Sequence, residues 1–71
     1  MKLKINIRYT MENGNGLIIR SHASDSSPLR YHVVEIIEIL GSCQRVSHTT
    51  MTPVEIKRAL NITDKKRLEV V

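Results

Sequence analysis

The sequence has no tryptophan and no phenylalanine, and Tyr9 and Tyr31 are its only aromatic residues. A core built on aromatic rings is therefore excluded, and burial has to come from Ile, Leu, Val and Met. Cys43 is the one cysteine, so no disulfide can form within the chain. A free thiol suits a reducing compartment. No apolar run approaches the roughly 18 residues of a membrane-spanning helix. The opening residues, MKLKINIRYT, alternate apolar with polar or charged side chains and lack the continuous apolar stretch of a signal peptide. A cytoplasmic protein with no membrane association is the expectation, and the glycosylation-like Asn61-Ile62-Thr63 is then coincidental.

Enzyme signatures are also missing. His22, His32, His48 and Cys43 are scattered without paired-ligand spacing. Cys43 with His48 as nucleophile and base lacks an orienting third group. The Asn-Gly-Asn-Gly stretch has no helix after it to complete a phosphate loop. Neither catalysis nor a metal or other cofactor is expected.

What is present begins with charge. Eleven Lys and Arg face seven Asp and Glu, a net +4 on 71 residues, which favours polyanionic partners. The length allows one domain, residues 1–71. A chain this short buries only about 60% of its unfolded surface, so the core is thin.

The first readable element is Lys2 to Thr10. Leu3, Ile5, Ile7 and Tyr9 alternate with Lys2, Lys4, Asn6, Arg8 and Thr10, the period of a half-buried strand. Two Asn-Gly pairs follow, a strong hairpin signal, and Leu17 to His22 returns as the second strand. A two-residue loop would turn Leu17 and Ile19 to water. A three-residue loop with Gly in the left-handed position aligns them with Tyr9 or Met11 instead. The outward face then carries Lys2, Lys4, Asn6, Arg8, Arg20 and His22.

After a polar linker, Ser27 and Pro28 read as an N-cap and first helical residue. Leu29, Val33, Ile36, Ile37 and Leu40 share one helical stripe, and Gly41 closes it. Residues 45–49 read as a short third strand or a loop. Thr52, Pro53 and Glu55 form a capping box, and Met51 can staple onto Ile56. Asn61 can end that helix in the left-handed conformation. The tail is either a last helix, the preferred reading, or a strand with Leu68 and Val70 on one face. The expected fold is α+β: an N-terminal β-hairpin packed on two or three short helices.

The run Thr52, Glu55, Ile56, Leu60, Asn61, Ile62, Thr63 resembles the helix-turn-helix of DNA-binding regulators, including winged-helix domains. Lys57 stands where a small buried residue is usual, Asn61 replaces the turn glycine, and no C-terminal wing follows. The resemblance implies that Lys65, Lys66 and Arg67 open a recognition helix, with Lys57 and Arg58 nearby. Lys4, Arg8 and Arg20 on the hairpin face form a second basic surface suited to a groove.

The expected function is a small nucleic-acid-binding regulator, with duplex DNA the expected partner. The alternative is a protein-binding inhibitor or adaptor of mobile-element type, acting through an apolar helix face and a strand edge. Tyr31 and Val34 lie off the core stripe of the first helix and Ile39 sits at its edge, so a homodimer with these residues at or beside the contact is also expected.

Overall fold

The structure is a computed structural model that describes residues 2–24, 28–39, 41 and 43–71. Six strands and one helix follow in the order β1 (Lys2–Leu3), β2 (Arg8–Thr10), β3 (Gly16–Ser24), β4 (Arg30–Glu38), β5 (Gln44–Met51), α1 (Pro53–Ala59) and β6 (Glu69–Val70). Strands hold 51% of the described residues and helix 11%, so the fold is mostly β and not α+β with two or three helices.

Strands β2 to β5 form an antiparallel meander in that spatial order. The β2–β3 turn is the expected three-residue loop. Tyr9 pairs with Leu17 and Thr10 with Gly16, the Met11 N–H donates to the Asn15 carbonyl, and Gly14 takes φ +91°. Gly16 has a further reason to lack a side chain: a Cβ there would lie 2.6 Å from Arg8 Nε. Arg8 passes over it to reach Glu38 at 3.2 Å.

The first helix expected from the sequence is instead strand β4, and this is the largest correction. Residues 30–38 are apolar on both sides of an alternation of two, which imitates helical spacing. Val33, Val34, Ile36 and Ile37 are β-branched and fit a pleated surface better than a helix. Being central, β4 pairs with both β3 and β5. Pro28 therefore starts no helix. Gly41, at φ +92°, serves the β4–β5 connection. The Ser27 cap and the Leu40 stripe position lie outside the described residues.

Long hairpin strands were also expected to begin at Lys2. Instead Asn6 adopts φ 64° and breaks the run, with the Tyr9 hydroxyl accepting from the Lys4 N–H at 2.8 Å. The break turns β1 away from the meander to pair in parallel with β6, Leu3 beside Val70. The tail is thus the strand, not the helix.

One sheet face is covered. Leu17 and Ile19 of β3 and Tyr31 and Val33 of β4 pack with Leu3, Met11, Ile56 and Leu68. Helix α1, β1 and β6 supply that cover. The opposite face holds Ile18, Val34, Ile36, Val46 and His48, related by register. Val34 is buried, while Val46 is 53% exposed.

Candidate polyanion-binding surface

The covering layer is fixed by local rules at both ends of α1. The Thr52 side chain accepts from the Glu55 N–H at 3.3 Å, and the Glu55 carboxylate accepts from the Thr52 N–H at 3.1 Å. This is the capping box expected from the sequence. Hydrogen bonding of its carboxylate by the Thr52 backbone N–H, and then by the Thr52 side chain, is the main reason Glu55 titrates below the usual glutamate range, with Arg30 and Arg58 adding smaller electrostatic contributions. At the other end Asn61 takes φ 55°. The Ile62 N–H donates to the Lys57 carbonyl and the Asn61 N–H to the Arg58 carbonyl, the double closure of a Schellman turn. Lys57 and Arg58 sit in the last turn, where positive charge complements the helix dipole.

Beyond Asn61 there is no second helix. Residues 62–67 run as an irregular segment before β6, so no recognition helix exists, and the helix-turn-helix reading fails. The physical reason lies in Leu68 and Val70. Leu68 is 5% exposed and belongs to the core, while β6 pairs with β1 and, directly after it, the Val71 N–H donates to the Leu3 carbonyl at 2.8 Å.

The irregular segment nevertheless brings basic residues together. The Asp64 carboxylate accepts from the Lys66 N–H at 2.9 Å and sets a turn. Lys57 Nζ donates to the Lys66 carbonyl at 2.9 Å. Lys65, Lys66 and Arg67 are exposed. Across the β1–β6 pair, Lys2 stands opposite Glu69, and Lys4 follows directly.

Residues 2–6 and 52–71 form this layer, and they carry seven of the eleven basic residues but three acids. The described residues of 7–51 carry four basic residues and three acids. The layer over the sheet thus carries an excess of four positive charges. Two of its acids have local duties: Glu55 caps α1 and lies 3.7 Å from Arg30, and Asp64 holds the turn.

The other basic positions are dispersed. Arg58 lines a recess with Met11, Glu12 and Asn13, away from the 64–67 turn. Lys4 is in the covering layer, so the basic hairpin face of Lys4, Arg8 and Arg20 is not assembled. Arg8 is engaged with Glu38. Arg20 is the extra residue of a bulge between Ile19 and Ser21, and it lines a shallow groove with His32, His48 and Thr50 on the open face. His22 lies against Tyr31 with ring centroids 4.8 Å apart and the planes tilted by 48°. Tyr31 is core, Val34 faces the opposite side of β4, and Ile39 lies beyond its end at 48% exposure. These three do not form one patch. Lys2 joins the basic layer only through the β1–β6 pair, which no local pattern announces. No protein-family model, curated protein or solved structure matches the chain.

Proposed function

We propose that the chain binds nucleic acid through the layer formed by α1, β1 and β6, chiefly by contacts to phosphates. The observation that carries this reading is the segregation of charge. Lys57, Lys65, Lys66 and Arg67 meet around one turn, whereas the basic residues of β2–β5 are dispersed and two of them, Arg8 and Arg30, lie beside Glu38 and Glu55. Lysine and arginine at such a surface neutralise phosphates and release counterions. A seven-residue helix closed by a Schellman turn presents no recognition surface for a groove. The reading is therefore a charge-based binder without an assigned base sequence. Of the alternative, an adaptor acting through an apolar helix face and a strand edge, the helix face is lost because residues 30–38 are a strand, while an edge strand is present in β5.

The experiment is a salt titration of duplex DNA binding. Replacing Lys57, Lys65, Lys66 and Arg67 by Gln should weaken affinity and flatten the log-affinity against log-salt slope by up to about 3.6, at about 0.9 per phosphate contact. Replacing Arg20 and Arg45 by Gln should change the slope far less. Equal effects from the two sets, or no binding by the native protein at low salt, would refute the proposal.

A further inference from the structure

The meander has two edges, and they are unlike. Strand β2 is three residues long. Strand β5 is eight residues long, and its pairing with β4 runs from Glu38–Gln44 to Tyr31–Met51 without a register shift. Among the described residues no strand pairs with its outer side. Its sequence, QRVSHTTM, has no Pro, no Lys and no acid. Long edges without bulges, prolines or several charges are templates for another strand.

The phase of the free edge can be worked out. The Ile39 N–H donates to the Cys43 carbonyl at 3.0 Å. Antiparallel ladders alternate bonded and non-bonded pairs, so Arg45, Ser47, Thr49 and Met51 bond inward to β4. Gln44, Val46, His48 and Thr50 turn their N–H and C=O groups outward. Arg30 already reaches one of these, donating to the Thr50 carbonyl at 3.3 Å, and a carbonyl has a second lone pair for another donor.

We infer that β5 pairs antiparallel with β5 of a second copy, about a two-fold axis at Ser47. The strand is complementary to itself in that register. Val46 meets His48 of the other copy, Gln44 meets Thr50, and Arg45 meets Thr49. All four outward-facing residues then exchange bonds, and the sole formal charge, Arg45, meets no like charge. Centring on His48 would oppose two imidazoles and leave Gln44 without a strand partner; centring on Val46 would leave Thr50 unpaired. The pairing joins two four-stranded meanders into one sheet. A two-fold axis perpendicular to that sheet puts both basic layers on the same side. The inference does not require that those layers bind nucleic acid, and its test reads assembly alone.

The experiment combines sedimentation with cysteine cross-linking in a Cys43→Ser background. At Ser47 the two copies form a non-bonded pair with Cα atoms about 4.5 Å apart, within disulfide reach. The two Thr49 positions lie roughly 13 Å apart at about 3.3 Å per residue. Ser47→Cys should therefore cross-link under mild oxidation and Thr49→Cys should not. Val46→Pro removes an outward N–H while leaving every bond to β4. It should weaken association roughly 30-fold, the equivalent of two backbone hydrogen bonds per dimer, with the circular dichroism unchanged. If Val46→Pro fails to fold, the cysteine pair decides alone. A monomeric native protein at micromolar concentration, or cross-linking at Thr49 equal to that at Ser47, overturns the inference.

Discussion

Replacing Ile56 by Ala tests whether α1 belongs to the core or merely lies on the sheet. Ile56 is the only fully buried residue of the helix, at 0% exposure, and it packs in the cluster of Leu17, Ile19, Tyr31 and Val33. The substitution removes three carbons, a transfer loss of roughly 2.4 kcal/mol at about 0.8 each. The cavity left behind raises this toward about 3–4 kcal/mol, because strands on one side and a capped helix on the other limit collapse. A 71-residue domain has a total stability of roughly 4–10 kcal/mol, so the variant should lose a third of it or more. Urea unfolding followed by circular dichroism measures this as a lower midpoint with an unchanged slope. Val54→Ala, at a position 59% exposed on the same helix, should stay within about 0.5 kcal/mol of the native protein. A loss below about 1 kcal/mol for Ile56→Ala would show that the helix is not seated on the sheet, and the basic layer would lose its foundation.

Three further outcomes follow from the ends of α1. Thr52→Ala should cost about 1 kcal/mol, because the Glu55 N–H loses its acceptor; an unmoved midpoint would place the helix start elsewhere. Glu55 has a depressed carboxyl pKa in the folded state, so its contribution is present above the unfolded glutamate range and is lost as pH falls through the folded value. Glu55→Gln should accordingly show a shallower loss of stability on acidification than the native chain, and superimposable pH profiles of the urea midpoint would contradict this. Asn61→Gly should be tolerated at φ 55°, whereas Asn61→Val should cost roughly 1–2 kcal/mol for a β-branched residue in the left-handed region; equal stabilities of the two variants would remove the Schellman closure from the account.

Local chemistry made some elements legible and hid others. The capping box, the left-handed Asn61, the Gly14 loop and the Tyr9–Leu17 alignment each depend on residues within one turn, and each is read directly from sequence. The third strand near 45–49 also appears, lengthened to Gln44–Met51. The failure at 30–38 has a different origin. A central strand that meets side chains on both faces shows no clean alternation of apolar and polar residues. Periodicity alone cannot separate such a run from a helix segment. The four β-branched residues from Val33 to Ile37 were the signal that should have decided it. A helix over 30–38 would bring Tyr31, Val34 and Ile39 toward one surface; on β4, Tyr31 and Val34 face opposite sides and Ile39 lies beyond its end.

The candidate site was legible as a charge run but not as a surface. Lys65, Lys66 and Arg67 are adjacent in sequence whatever the fold, and Lys57 and Arg58 follow from the helix. What no local rule supplies is the parallel pairing of β1 with β6. Parallel strands need a long crossover, and here the whole meander and α1 separate the two. The pairing depends on Asn6 turning the chain at φ 64° and on Leu3 and Leu68 entering the same core. It carries Lys2 and Lys4 into the layer that holds Lys57 and the 64–67 turn. Topology thus gathers seven of the eleven basic residues, from positions 2–6 and 52–71, on one side of the sheet.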